Sequence, residues 1–149
     1  MNEIVDAART FEGVLVVVPD EESGLPELAW GDVFLYYAPD GRIPERTQPY
    51  GTIVTKNYPD DEASMLDEPH RFRVNIHVGR DDAARLARTD VDAAATDVFT
   101  LHPLYGGAGW VSVVNPGEAT GEQVVALLRE AHGAARARAS RRSGEVEGR

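Results

Sequence analysis

The chain has 149 residues, no cysteine and a formal net charge of −10, a length that suits one domain with a core of ordinary size. The lack of cysteine excludes disulfides, thiolate metal sites and a cysteine nucleophile. Neither a signal peptide nor an apolar run near the ~20 residues of a membrane helix is recognisable, so we expect a soluble, cytoplasmic protein with no membrane partner.

Hydrophobic periodicity predicts a first helix and then a run of strands. A helix over 3–11, capped by Asn2, places Ile4, Ala8 and Phe11 on one face. Runs of branched and aromatic residues between turn signals then predict four strands, at 14–18, 30–37, 51–57 and 71–78.

The second half of the chain predicts more helix and one more strand. In order, these elements are a helix from Asp81 or Asp82 to Arg88, a helical turn within 90–98, a strand at 110–115 and a helix from about 120 to about 139. Thr120 and Gln123 have the spacing of a capping box for the last helix. Residues 140–149 are predicted to be a frayed basic and polar tail.

The element order is therefore α-β-β-β-β-α-β-α, in a single α+β domain over 1–139. Four successive strands, joined by loops too short for crossover helices, predict an antiparallel meander of about five strands with helices on one face. The order of the strands is left open, and so is the choice between a monomer and a homodimer.

Charge is divided unevenly along the chain. Residues 129–149 hold six arginines and three glutamates, whereas the first 128 residues hold nine bases and 22 acids, a net charge of −13. Because nucleic-acid affinity comes largely from neutralising phosphates, this acidic body disfavours a nucleic-acid partner. The basic segment is either a solvated helix end, the more usual case, or a contact for an acidic partner.

Five short motifs carry a family resemblance: T-I-V-T-K at 52–56, S-x-L-D at 64–67, F-R-x-N-I at 72–76, H-P-x-Y at 102–105 and G-W-V-x-V-x-N-P at 109–116. In this order and spacing they resemble a bacterial family of unknown function common in actinobacteria, which implies a fold but no reaction. The layout is also similar to MmcQ/YjbR-like proteins, α+β domains in which a tryptophan-bearing strand precedes a long helix. That second resemblance implies DNA binding, from which the acidic body departs.

The glycines at 106–109 suggest two interpretations. A phosphate-binding loop follows a strand and opens a helix, whereas these glycines open the strand that begins at Trp110, and no G-x-G-x-x-G is present. A tight bend or a close approach of two backbones is therefore favoured.

His102 is the candidate for acid–base chemistry, because histidine titrates near neutral pH and Pro103 holds it extended. Three roles are open for His102: a hydrogen-bonded structural residue, a ligand contact or a general base. No spacing among the histidines is typical of a metal site, so no metal and no cofactor are predicted. Ser64 is the one serine worth testing as a nucleophile, and the adjacent Asp60 and Asp61 are more typical of a cap or a solvated turn.

The strand at 71–78, RFRVNIHV, alternates most regularly, which places Arg73, Asn75 and His77 on its polar face. If the helices cover only the other face, these side chains point to water. If a loop covers them, they converge on a small-anion pocket, to which Lys56 could add a second charge. Arg73 could equally pair with an acid such as Asp67.

The function favoured by these patterns is a binding or regulatory module without catalytic machinery, with a small anionic ligand or a protein as partner. Its predicted ligand-binding residues are Lys56, Arg73, Asn75, His77, His102, Tyr105 and Trp110. A small hydrolase-like enzyme with His102 as general base is the alternative, and nucleic-acid binding by MmcQ/YjbR-like analogy ranks last.

Overall fold

The protein, in a computed structural model, is a six-stranded antiparallel sheet with three helices. The structure describes the backbone of residues 1–147 and the side chains of residues 1–142. The helices are α1 (Asn2–Ala8), α2 (Arg80–Leu86) and α3 (Gly121–Glu147), and the strands are β1 (Val14–Val17), β2 (Val33–Tyr37), β3 (Gly51–Val54), β4 (Arg73–His77), β5 (Thr100–Leu101) and β6 (Trp110–Val114). The predicted α+β class and antiparallel sheet are confirmed.

The strands lie in the order β1-β2-β3-β4-β6-β5. The first four form the predicted meander, and β6 then pairs with β4, with Asn75 opposite Ser112. The strand that the sequence did not predict, β5, pairs with β6 at the sheet edge. It is two residues long, too short to produce a period-two pattern.

One face of the sheet packs against the helices. Alternate strand residues, among them Leu35, Val74 and Ile76, are buried with Val124 and Leu128 of α3. At Gly51 an added Cβ would lie 2.7 Å from Leu128 Cδ2, so the missing side chain allows α3 to approach β3. Because side chains alternate along a strand, Arg73 and Asn75 face away from the helices.

The helix starts differ from the predicted ones. Asn2 is the first residue of α1 rather than its cap, and Gly79 precedes α2. The predicted helical turn at 90–98 forms turns, in which Asp92 Oδ1 accepts the backbone N–H of Ala94 (2.8 Å). These short-range bonds compete with helix formation.

The capping box predicted for α3 is replaced by a distant residue. Asp97 accepts the backbone N–H groups of Gly117, Ala119 and Thr120 at 2.8–3.0 Å. The Thr120 hydroxyl also donates to Asp97, at 2.6 Å. One carboxylate therefore satisfies the free N–H groups that precede the helix.

The last helix continues past the predicted end near 139 to Glu147. Its alanines and arginines favour helix, and no proline interrupts them. The tail predicted to be frayed at 140–149 is therefore helical up to residue 147, and residues 148–149 lie outside the described part of the chain. Among the helices described here, none has the length and apolarity to cross a bilayer.

Candidate functional site

Two chain segments cover the face of the sheet opposite the helices. Residues 58–67 supply Asp61 and Ser64, and residues 102–109 supply His102; all three approach Arg73 on β4. Of the two arrangements that the sequence left open, the loop-covered one is present. Arg73 and Asn75 are only 1% and 2% exposed.

Between these segments lie two adjoining cavities, of about 330 Å³ and 280 Å³. They share four lining residues, Thr52, Asn75, His102 and Tyr105, and we call the combined depression the cleft. The larger cavity is further lined by Gln48, Pro49, Ala108 and Trp110. The smaller one is further lined by Phe34, Val54, Tyr58, Asp60, Asp61, Arg73 and Leu104.

Arg73 is hydrogen-bonded to three neighbouring side chains at the base of the cleft. Its Nη1 and Nη2 donate to the two carboxylate oxygens of Asp61 at 3.0 and 2.6 Å, a bidentate pair. Nη1 also donates to Ser64 Oγ at 2.9 Å, and Nε donates to Asn75 Oδ1 at 2.8 Å. The hydrogen bonds from Arg73 to Asp61 hold the pKa of Asp61 below its ordinary value, against the effect of burial.

The partner of Arg73 is thus Asp61 and not Asp67, the acid that the sequence suggested as an example. Asp67 instead accepts the backbone N–H of Asn57 at 2.8 Å. Asp61 faces inward because its backbone pairs with that of Tyr58 in both directions, which closes a tight turn.

A directed chain of hydrogen bonds leads from Arg73 into the cleft. Asn75 Oδ1 accepts from Arg73 Nε and, at 2.7 Å, from Ser112 Oγ. Since a guanidinium can only donate, the orientation of the Asn75 amide is determined, and its Nδ2 donates to Thr52 Oγ1 at 2.9 Å. The hydroxyl proton of Thr52 is then left for another acceptor.

His102 is 7% exposed, and its hydrogen bonds determine which nitrogen carries the proton. Nδ1 accepts the backbone N–H groups of Leu104 and Tyr105, both at 3.1 Å. In the neutral ring the proton is therefore on Nε2. Burial, and then the charge of Arg73, lower the pKa of His102 to about 4, against the opposing charge of Asp61.

The result is a pair of donors that face each other. His102 Nε2 lies 3.3 Å from Nη2 of Arg73, and in this tautomer both nitrogens carry protons. Neither can accept from the other, so the Nε2–H of His102 and the second N–H of Nη2 are suited to a single acceptor within hydrogen-bond distance of both.

Five of the seven predicted ligand-binding residues line the cleft: Arg73, Asn75, His102, Tyr105 and Trp110. Lys56 is engaged elsewhere, because its Nζ donates to Asp32 Oδ1 (3.0 Å) and to the carbonyl of Trp30 (2.8 Å). Asp32 is fully buried and also binds Thr55. The charge of Lys56 therefore balances a buried acid and does not reach the cleft.

His77, the other predicted residue outside the cleft, lies beside its wall. Its Nε2 is 3.2 Å from the carbonyl oxygen of Ala108, and its ring centroid is 5.5 Å from that of Trp110. His77 is thus engaged by residues that line the larger cavity without lining it itself.

Sequence reasoning missed the role of Thr52, Asp60 and Asp61 in the cleft. Thr52 had a usable signal, since it alternates with the buried Ile53 along β3. The two aspartates had none, because only the path of the loop separates the buried Asp61 from the exposed Asp60. Ser64 is buried and bonded to Arg73, not to a histidine.

The glycines before Trp110 allow two backbones to meet. Gly109 has φ +93°, and an added Cβ would lie 2.7 Å from the backbone carbonyl carbon of Gly79. The carbonyl of Gly109 accepts the N–H groups of Val78 and Gly79 at 2.9 and 3.1 Å. The close backbone approach predicted here is present, and it fixes the segment that carries His102.

Within the described part of the chain, no three histidine or carboxylate side chains are grouped as they would be to hold a metal ion. A family model described as a family of unknown function (DUF6194) matches residues 1–144, so the chain belongs to that family. No curated protein and no solved structure matches the chain.

Proposed function

We propose that this member of the DUF6194 family is a binding module that takes a small ligand into the cleft. A ligand oxygen would accept hydrogen bonds from His102 Nε2 and Arg73 Nη2. The observation that carries the proposal is the 3.3 Å approach of these two buried donors. Nη2 already donates one N–H to Asp61, whereas Nε2 of His102 has, among the described residues, only this second donor within hydrogen-bond distance. Buried polar groups are usually hydrogen-bonded, and a donor left without an acceptor costs about 1–3 kcal/mol.

The walls of the cleft are consistent with a small organic ligand. Pro49, Tyr105 and Trp110 contribute apolar surface to the larger cavity, next to the donors of His102 and Thr52. Binding sites for small molecules commonly combine apolar walls with a few converging polar groups. Tyr105 is 54% exposed, so a ligand that covers it would gain apolar burial.

The bonding of His102 speaks against the alternative of a hydrolase that uses it as general base. A base needs a free lone pair, but Nδ1 accepts two backbone N–H groups and Nε2 carries the proton. A pKa of about 4 also makes the ring a weak base at neutral pH. Ser64 Oγ, the candidate nucleophile, accepts from Arg73.

The other partner predictions stay predictions. Nucleic-acid binding rests on the MmcQ/YjbR-like layout, and the cleft has two carboxylates, Asp60 and Asp61, against one cation. That balance does not favour a phosphate backbone. A protein partner, a homodimer and a cytoplasmic location are likewise predictions from the sequence.

The test is a titration of the ¹⁵N-labelled protein with benzamide and, separately, with benzoate, followed by NMR. We expect at least one probe to shift the His102 side-chain signals and the amide signals of Tyr105 and Trp110 in a saturable way. His102→Asn should weaken that binding at least tenfold. Asparagine can still accept the backbone N–H two residues on, which preserves the turn, but it lacks the Nε2 donor.

A matched control is His70→Asn. His70 is exposed and has φ +62°, a conformation that asparagine tolerates. This variant should bind the probes as the wild type does. The proposal is wrong if neither probe shifts these signals up to 20 mM, or if His102→Asn binds as well as the control.

A further inference from the structure

We infer that the cleft selects an uncharged carbonyl group of the primary-amide type on a flat ring, rather than a carboxylate or a phosphate. The inference rests on the proposed function and names the class of ligand. It also departs from the small anionic ligand that the sequence suggested, because the structure shows how the charge of Arg73 is used.

The first argument is the charge balance of the cleft. The guanidinium of Arg73 is bound by both oxygens of Asp61, with side chains 1% and 8% exposed. Asp60, a second acid, lines the smaller cavity together with Arg73 and Asp61. With His102 neutral, one cation faces two anions, so a bound anion would lose its hydration without meeting a net positive charge.

The second argument is the match of donors and acceptors. A carbonyl oxygen has two lone pairs, which suit the two donors His102 Nε2 and Arg73 Nη2. The NH₂ group of a primary amide then needs an acceptor, and we assign this role to Asp60, a lining residue of the smaller cavity that carries a carboxylate. A carboxylate ligand would place a second charged oxygen against Asp60 instead.

The third argument concerns the body of the ligand. The larger cavity, about 330 Å³, has Pro49, Tyr105, Ala108 and Trp110 among its lining residues. Aromatic rings pack well against one another in offset or edge-to-face arrangements. A flat ring attached to the amide would extend from the donor pair toward Tyr105 and Trp110.

The experiment compares dissociation constants for benzamide and benzoate at pH 7. The two probes have nearly the same shape, and only benzoate is charged. We expect the wild type to bind benzamide at least ten times more tightly. Asp60→Asn should reduce this preference at least threefold, mainly by improving benzoate binding, since it removes the nearby charge and retains an acceptor.

The matched control is Asp40→Asn, at another exposed aspartate. Asp40 Oδ1 accepts the backbone N–H of Arg42 at 3.1 Å in a turn that asparagine also forms. This variant removes one negative charge from the chain, as Asp60→Asn does, and should leave the preference unchanged. An equal effect in both variants would mean that general charge, and not Asp60, sets the preference, and would overturn the inference.

The outcomes separate the two proposals. Benzoate binding as tightly as benzamide, with the loss in His102→Asn intact, would overturn the uncharged class and leave the binding function standing. Binding of neither probe at the cleft would overturn both. A benzamide preference that survives Asp60→Asn unchanged would overturn the assignment of Asp60 to the amide NH₂ group and, with it, the inference.

Discussion

The buried pair of Arg73 and Asp61 predicts a large, local loss of stability when the acid is neutralised. Asp61→Asn preserves the size of the side chain and leaves the guanidinium, 1% exposed, without a hydrogen-bonded counter-charge. Removing one member of a buried ion pair typically costs 3–5 kcal/mol. Asp61 has a solvent edge, and Ser64 and Asn75 still bind Arg73, so we expect about 3 kcal/mol, at the lower end of that range.

Equilibrium unfolding in urea measures this loss. With a slope of about 2 kcal/mol per molar, 3 kcal/mol moves the midpoint by roughly 1.5 M. The matched control is Asp90→Asn, because Asp90 forms a bidentate pair of the same kind with Arg88, at 2.9 and 2.7 Å, but on the surface. That variant should unfold at the wild-type midpoint.

Two results would refute the reasoning. One is a loss below about 1 kcal/mol in Asp61→Asn, the range of a surface pair. The other is an equal shift in Asp90→Asn, which would mean that burial does not set the cost. Combining Asp61→Asn with Arg73→Met should cost less than the sum of the single losses, because the double variant leaves no buried charge unpaired.

Three further predictions concern single groups. The pKa of His102 is lowered from 6.5 to about 4, so this residue contributes a loss of stability of about 3 kcal/mol as pH drops from 6.5 to 4. Unfolding of His102→Asn across this range should lack that contribution. The hydrogen bonds from Thr120 and nearby backbone N–H groups lower the pKa of Asp97 from 3.8 to about 2. In urea unfolding at pH 7, Asp97→Ala should therefore lose about 1 kcal/mol, a value discounted for solvent screening. This difference should shrink between pH 4 and pH 2, and its persistence at pH 2 would count against this account. Gly109 has φ +93°, and an added Cβ would lie 2.7 Å from the backbone of Gly79, so Gly109→Ala should lose about 2–4 kcal/mol of stability in thermal unfolding. Gly107→Ala is the control and should change stability little, because nothing lies within 4 Å of its added Cβ. Equal melting temperatures for the two variants would contradict the close approach at Gly109.

The predictions about strands, sheet faces and turns that agree with the structure rest on patterns among residues that are neighbours in the sequence. The alternation in RFRVNIHV places Arg73 and Asn75 on the face opposite Val74 and Ile76, because successive side chains of a strand point to opposite sides. The segments between the first four strands contain turn signals such as Pro39-Asp40-Gly41 and lack a helical apolar pattern, which favours an antiparallel meander over crossover helices. The glycines that open β6 likewise indicate a close backbone approach from their local order alone.

Only the tertiary structure decided which polar groups meet. Arg73 and His102 are 29 residues apart in the chain. Lys56 lies 24 residues from Asp32, the buried acid with which it pairs outside the cleft. Loop paths determine these contacts, and many acids in this chain could have served as partners. The sequence by itself determined the five longer strands and the two faces of β4, because period and propensity act between neighbours. The donor pair in the cleft exists because folding brings distant loops over one face of the sheet.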